Sequence, residues 1–448
     1  MRVIIVGAGE VGYHVADRLA KEQHDVAVVD LAPERLDYVQ AHLDVAVIQG
    51  SGASPAVLRK AGIRDAGLLL AVTSVDEINL VSCMAVPSRA GLVKVARVSN
   101  PDFYAERATL QPSAFAVDLL INPERELAFD AFRLLQAVAA SDVAVFADGA
   151  VQLIGLSVAD GAPIAGRPLV EIGAGEQGRQ MLTVAVERGG TTIVPTGATV
   201  IEPGDHIYAV AGAAEIPRVL ELTGHRFEKV QRVMLGGGSV ETFYLASLLQ
   251  QHGVGAIAIV EDRERAHELA EKLDRTLVLN GNVTDIELLE LEGVGGMDAF
   301  VALTDFDETN IIASLVAKHA GAKQVITVVN KSDYVPLVRR IGLDAAVSPR
   351  LSAAGAILRY VRRGSVRRVA TLQNNDAEVM SLTVTANSPL VGRALAERHI
   401  PEGAIVGAIV RGSGVLVPTG HDVLRVGDDA IVFALPDAVD PVTRLFPP

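Results

Sequence analysis

The stretch Val3-Ile4-Ile5-Val6-Gly7-Ala8-Gly9-Glu10-Val11-Gly12 decides how the rest of the chain is read. Its apolar opening is a buried-strand pattern, and Val11, Val15 and Leu19 continue it at helical spacing. Between them lies Gly-x-Gly-x-x-Gly, in the strand–turn–helix context the motif requires. Gly7 permits the tight turn, Gly9 lets the backbone approach a pyrophosphate, and Gly12 lets the helix pack close to the sheet. Free N–H groups at the helix start attract phosphate, so the backbone from Gly7 through Ala8, Gly9, Glu10 and Val11 to Gly12 is a candidate anion cradle. Asp30 ends the next apolar run, Val26–Asp30, 23 residues after Gly7. A carboxylate there accepts both adenosine ribose hydroxyls and repels a 2′-phosphate, favouring NAD over NADP. The competing reading is a glycine turn beside a solvated aspartate.

Further apolar runs, Val45–Ile48, Leu68–Val72 and Val93–Val98, alternate with segments of helical spacing. That alternation implies a parallel, doubly wound sheet with right-handed crossovers. Loops that follow strand carboxyl ends share one crevice. Gly50 and Ser51 thereby become candidate contacts to adenine or ribose. Thr73 and Ser74 offer hydroxyls, and Arg97 offers a cationic fork for phosphate. A helix N-cap before Asp76-Glu77 is the plainer reading of Thr73-Ser74, and a surface ion pair that of Arg97.

The chain then repeats itself. Val233-Met234-Leu235-Gly236-Gly237-Gly238-Ser239-Val240-Glu241 returns to the opening pattern at an offset of 229 residues, and Ala302–Asn310 matches Ala71–Asn79 at 231. The second cradle is expected to use Gly236, Gly237, Gly238, Ser239 and Val240, with Glu261 matching Asp30 and Gly281-Asn282 matching Gly50-Ser51. Three changes weaken it for anions: Glu241 at the place of Gly12, Asp305 at that of Ser74, and Thr327 at that of Arg97. Asn122-Pro123 and Ser348-Pro349 each combine an N-cap residue with Pro at the first helical position. The helices they start carry apolar faces, Leu127, Ala131, Leu134, Leu135 and Val138 in one, Leu351, Ala354, Leu358 and Val361 in the other. Both suit a lobe-to-lobe interface or hinge, and plain intradomain core helices are the competing reading. After each comes a Gly-rich module of short strands, marked by Pro195-Thr196-Gly197 and Gly204-Asp205, then by Pro418-Thr419-Gly420 and Gly427-Asp428. The expected fold is α/β: parallel-sheet units at 1–122 and 230–348, connecting helices at 123–140 and 349–366, and small α+β units at 141–225 and 367–448.

Length and composition agree with this division. At roughly 150 residues per domain, 448 residues give about three domains, in a range of about two to four. Half the residues are hydrophobic but only 4% aromatic, so aliphatic side chains carry the burial, as in parallel sheets covered by helices. A net charge of −14 argues against a nucleic-acid binder. A single cysteine excludes a disulfide framework and fits a reducing cytosol. Mean hydropathy is +0.33, yet no apolar run approaches the roughly 20 residues of a spanning helix, and the N-terminus lacks a signal-peptide pattern. The expectation is a soluble, intracellular chain. Cys83 reads as a core residue, and His206, His225, His399 and His421 show no repeated placement. No metal-ligand spacing, nucleophile elbow or P-loop is found. The alternative of an NAD-dependent oxidoreductase needs a catalytic module that would break the duplication. A repressor would need a basic recognition helix, and the lone basic run, Arg359-Tyr360-Val361-Arg362-Arg363 with Arg367-Arg368, reads as a solvated helix end.

The tandem order, together with Gln49-Gly50-Ser51-Gly52, Ala71-Val72-Thr73-Ser74, Ala96-Arg97 and Val406-Gly407-Ala408-Ile409-Val410-Arg411-Gly412, resembles the TrkA family, the RCK (KTN-type) regulatory subunits of bacterial Trk potassium-uptake systems. The resemblance covers nearly the whole chain. It implies two Rossmann-like RCK N-terminal units, each followed by an RCK C-terminal unit, and no enzymatic activity. It further implies a cytoplasmic homotetramer that binds NAD(H) and the regulatory ligands ATP and ADP. The partner it implies is an integral-membrane potassium transporter of the TrkH/TrkG kind, met at the inner face of the membrane and gated by nucleotide binding.

Overall fold

The computed structural model describes residues 1–103, 112–136, 140–173, 181–225, 229–331, 334–361, 366–371, 377–397, 400–412 and 414–447. Val138, Arg362, Arg363 and His399 lie outside the described residues, as do the side chains of Arg359, Val361, Arg367 and Arg368.

The opening strand β1 (Arg2–Val6) is followed by α1 (Glu10–Lys21), β2 (Asp25–Asp30), α2 (Pro33–His42), β3 (Ala46–Gln49), α3 (Pro55–Lys60), β4 (Ala66–Ala71), α4 (Asp76–Met84), β5 (Val93–Arg97) and β6 (Leu119–Ile121). All pairings are parallel, in the order β3-β2-β1-β4-β5-β6. The order reverses between β1 and β4, so the crevice of this doubly wound sheet opens at their carboxyl ends. Helices cover both faces: Val3, Ile5 and Val28 point into one core, Ile4, Val6 and Val29 into the other. After α5 (Pro123–Gln136) come β7 (Ala140–Phe146), β8 (Val151–Ser157), α6 (Leu169–Gly173), β9 (Met181–Arg188), β10 (Thr191–Ile193), β11 (His206–Gly212) and α7 (Ile216–Leu222). Their strands form an antiparallel sheet, β10-β9-β11-β8-β7.

The pattern then recurs as β12 (Arg232–Gly236), α8 (Val240–Gln251), β13 (Gly255–Val260), α9 (Arg263–Lys272), β14 (Thr276–Asn280), α10 (Ile286–Leu291), β15 (Ala299–Ala302), α11 (Asp307–His319), β16 (Val325–Val328), α12 (Val335–Arg340) and β17 (Ala345–Val347). This second parallel sheet has the same order, β14-β13-β12-β15-β16-β17. Then follow α13 (Pro349–Val361), β18 (Val366–Thr371), β19 (Glu378–Thr383), β20 (Ala404–Arg411), β21 (Gly414–Leu416), β22 (Asp429–Ala434) and α14 (Pro436–Arg444), with the antiparallel order β18-β19-β22-β20-β21. The architecture is α/β, two Rossmann-like sheets each followed by a small α+β unit.

These elements group into two compact units, Met1–Leu127 with Ser348–Val361, and Ala128–Val347 with Arg362–Pro448. In the first, α13 lies against α1 and buries Ala353, Ala354, Ile357 and Leu358 in the core of the first parallel sheet. Leu351, expected on that face, is only half-buried. The helix that follows the second parallel sheet in sequence is therefore a core helix of the unit built on the first. Asn122 caps α5 as expected, its Oδ1 accepting the Arg125 N–H at 2.8 Å. Ser348 does not cap α13, since its buried hydroxyl finds no partner among the described residues. In the second unit the two antiparallel sheets share a core containing Val184, Tyr208, Val210, Ala408, Ile431 and Phe433.

Candidate functional site

Val6 pairs with Val29 on one side and Ala71 on the other, and Ala71 with Ala96. The glycine loop, Asp30, the 50s loop, Thr73-Ser74 and Arg97 therefore leave the first parallel sheet along one edge. Gly7 has φ +112°, and a Cβ there would lie 2.9 Å from the Thr73 nitrogen. A Cβ on Gly12 would lie 1.9 Å from the Gly7 carbonyl oxygen. Both positions are glycine because the fold leaves no room. Gly9 is different: a Cβ there would meet nothing within 4 Å, and its φ of −73° suits any residue. It is the N-cap of α1 and carries no side chain to accept the first-turn N–H groups. No side chain at the cap takes those donors.

Asp30 is half-buried and held by two backbone donors. Its Oδ2 accepts the Ala8 N–H at 2.6 Å and its Oδ1 accepts the Ala32 N–H at 2.9 Å. Each oxygen retains acceptor capacity for a hydroxyl. Gly50 donates its N–H to the Asp30 carbonyl at 2.9 Å, and Ser51 Oγ accepts the Ala53 N–H at 3.3 Å. The Thr73 hydroxyl is committed internally, donating to Asn79 Oδ1 at 2.7 Å, while Ser74 is exposed. Arg97 lies 3.6 Å from Glu124 in the first turn of α5, so its charge is shared. Glu10, in the first turn of α1, pairs with Arg350 of α13.

Asn79 lies outside the candidate residues of the sequence. It is fully buried, accepts the Thr73 N–H at 2.9 Å and donates to the carbonyls of Thr73 and Arg97, both at 2.9 Å. One amide thus ties the ends of β4 and β5. Asn310 repeats the arrangement with Thr304 and Val328. The signal was an asparagine six residues after the threonine in both copies.

The second copy requires corrections. Gly237, not Gly236, is the counterpart of Gly7: its φ is +138°, and a Cβ would lie 2.4 Å from the Leu303 carbonyl oxygen. It donates to Ile259 O at 2.9 Å, as Gly7 donates to Val29 O at 2.8 Å. Gly236 is the last residue of β12. The first offset is 230 residues, and three assignments move by one. Buried Thr242, not Glu241, stands at Gly12. Val260 stands at Asp30, because Gly281 donates to its carbonyl as Gly50 does to that of Asp30. Glu261 is exposed one position beyond the strand end. Val328, whose carbonyl accepts from Asn310, stands at Arg97, and Thr327 is buried one residue earlier. Asp305 does stand at Ser74. Its Oδ2 is 2.8 Å from Arg265 Nη1. Ser239 N-caps α8, its Oγ accepting the Thr242 N–H at 3.4 Å, and Val240 opens the helix with an exposed side chain.

Cys83 is fully buried, and that burial pushes its thiol up to about 12, with Lys94 pulling weakly the other way. Among the described residues no group of three or more His, Cys, Asp or Glu is placed to hold a metal ion, and no helix is long and apolar enough to cross a membrane. A cleft of about 650 Å³ between the small units, bordered by Pro195-Thr196-Gly197 and Pro418-Thr419-Gly420, has no charged side chain in its lining.

The fold defines a tandem Rossmann-type protein whose first glycine loop opens a helix that no side chain caps. The TrkA-N domain model matches residues 3–123 and 233–349, and the TrkA-C domain model matches 153–224 and 379–446. The Trk system potassium uptake protein TrkA of Azorhizobium caulinodans is 35% identical over 454 residues, spanning 100% of this chain and 98% of its own length. The protein of the same name from Halomonas elongata is 36% identical over 453 residues, with the same shares. The solved GsuK channel bound to NAD shares the fold, with a TM-score of 0.59 at 19% identity, covering 99% of this chain and 78% of that one. The chain belongs to the TrkA family of Trk system potassium uptake proteins.

Proposed function

We propose that the chain is a regulatory subunit of a potassium uptake system, binding NAD(H) in its first crevice with ATP and ADP as alternative ligands, and converting occupancy into gating of a membrane transporter. The observation that carries this reading is the uncapped start of α1 at Gly9 beside the fixed carboxylate of Asp30. Such a cradle fits a dinucleotide: first-turn N–H groups for the pyrophosphate, Asp30 for the ribose hydroxyls. Gly7 and Gly12 shape it, Ala8, Glu10 and Val11 supply its backbone, and Gly50, Ser51 and Ser74 form its rim. Thr73 acts as scaffold through Asn79, and Arg97 reaches phosphate only by leaving Glu124. The relatives carry the name of potassium uptake, and a channel of this fold has been solved with NAD bound.

The nucleotide in this reading is a ligand and undergoes no reaction. Its different affinity for two conformations shifts their populations. Arg350, paired with Glu10, places α13 beside the cradle, and the chain leads from α13 into the last antiparallel sheet. The partner is an integral-membrane potassium transporter subunit of the TrkH/TrkG kind, and the chain works as a cytoplasmic homotetramer at the inner face of the membrane. Duplication of the small units favours a sensor over an oxidoreductase, which needs a distinct substrate module.

Calorimetric titration of the pure chain with NAD, NADH, ATP and ADP, alongside its molar mass, tests ligand and assembly together. Saturable binding by a tetramer is expected. A monomer at micromolar concentration, or no binding, refutes the reading. Steady NADH oxidation at enzyme-like turnover would replace it with the oxidoreductase alternative.

A further inference from the structure

The second half measures a distance that the first half leaves open. Helices α2 and α9 each have ten residues and begin 230 positions apart, so Arg35 stands where Arg265 stands. Arg265 reaches from the first turn of α9 to Asp305 in the loop after β15. In the sheet β12 lies between β13 and β15, so this ion pair spans the strand end from which the glycine loop emerges. In the first unit the corresponding loop carries Ser74, which is exposed and offers no charge. Arg35 is also exposed, and among the described residues it makes no hydrogen bond or ion pair. Arg35 thus occupies the same helical position as Arg265, while Ser74 stands where Asp305 supplies its carboxylate.

We propose that Arg35 binds a phosphate of the nucleotide in the first crevice, and that Asp305 is the built-in substitute for that phosphate in the second. The inference rests on the nucleotide reading above. Arginine suits the task because its planar fork takes two phosphate oxygens at once. In the second copy three of the corresponding groups are satisfied internally or lost: Asp305 occupies Arg265, Ser239 occupies the Thr242 N–H, and Val260 replaces the ribose carboxylate. The Arg265–Asp305 pair has both side chains about half exposed, at 53% and 52%. Pairs so exposed contribute little to stability, so removing either partner leaves the fold intact. The pair acts on occupancy by holding the guanidinium and by placing a carboxylate where a phosphate would sit.

Calorimetry of the full-length chain with ADP tests the assignment. The wild type is expected to bind one ADP per chain. Arg35→Ala is expected to weaken binding about tenfold or more, with Arg35→Lys between the two. Ser74→Asp is expected to cost a similar factor, but to add less than about threefold in the Arg35→Ala background, since both changes remove the same contact. Asp305→Ser is expected to expose a second, weaker ADP site. All these side chains are exposed, so an unchanged melting temperature verifies each fold. Arg35→Ala binding ADP within about twofold of wild type, while Asp30→Ala loses it, overturns the assignment and leaves the nucleotide reading standing. Independent, multiplying losses in the double variant, or a stoichiometry that stays at one in Asp305→Ser, overturn the built-in substitute. A wild type that binds neither ADP nor NAD removes the nucleotide reading, and the inference with it.

Discussion

Gly9 and Ser239 begin equivalent helices and differ by one hydroxymethyl group. The serine spends its oxygen on the first-turn Thr242 N–H, whereas the glycine leaves the corresponding donors open. Space does not force this difference, because a Cβ on Gly9 would meet nothing within 4 Å. Serine and glycine N-caps differ by only a few tenths of a kcal/mol. Gly9→Ser is therefore expected to leave the melting temperature nearly unchanged while weakening NAD and ADP about 10- to 100-fold, the worth of a hydrogen bond to a charged group. Equal weakening of stability and binding, or neither, contradicts the role given to the open helix start. The first cradle was legible in the sequence because Gly7, Gly12 and Asp30 answer constraints that single residue types satisfy. The second is ambiguous by one position because Gly236, Gly237 and Gly238 are identical in sequence. Only the backbone, with φ +138° at Gly237 and ordinary strand geometry at Gly236, says which glycine makes the turn. Glu261 errs in the opposite direction, its carboxylate drawing the match to Asp30 although Val260 ends the strand.

The small antiparallel units were legible as repeated Gly-Asp turns, but the partner that fixes each turn was not. In the first, buried Asp205 takes two hydrogen bonds from Arg188, at 2.7 and 2.6 Å, and one from the Glu202 N–H at 2.8 Å. In the second, Asp428 takes the same three from Arg411 and the Arg425 N–H. Arginine and aspartate lie 17 residues apart on strand and turn, a cross-strand contact that no local periodicity announces. Burial pushes both carboxyls upward, but the arginine forks and the backbone donors outweigh it and hold them below the usual carboxylate range. Each group therefore contributes stability that is full above the unfolded aspartate value of about 3.9 and is lost as pH falls through its lower folded value. Melting temperature measured between pH 6 and pH 3 should fall for the wild type and fall less steeply for Asp205→Asn. Parallel curves would show that the carboxylate is not what acid titrates here.

At the scale of the whole chain, duplication suggests two interchangeable halves, and the placement of α13 contradicts that. This helix follows the second parallel sheet in sequence, yet its Ala353, Ala354, Ile357 and Leu358 complete the core on which α1 packs. Its alanines allow a close approach to α1, and its Arg350 pairs with Glu10. The sequence showed an amphipathic helix after Ser348-Pro349, but an apolar face does not record which sheet it covers. A chain ending near residue 225 would lack that helix and expose the apolar face of α1. Burying Ile357 and Leu358 alone is worth about 1.5–3 kcal/mol each, a large share of the roughly 5–15 kcal/mol that holds a domain folded. The half-chain 1–225, expressed alone, is therefore expected not to persist as a folded monomer. It should aggregate or pair with another copy, whose α5 starts with the same Pro-led pattern as α13. Supplying residues 229–448 as a separate tagged chain should restore a soluble complex that co-purifies and melts near the intact protein. A monomeric half-chain 1–225 with the full chain's melting temperature would show that α13 is dispensable to the first unit.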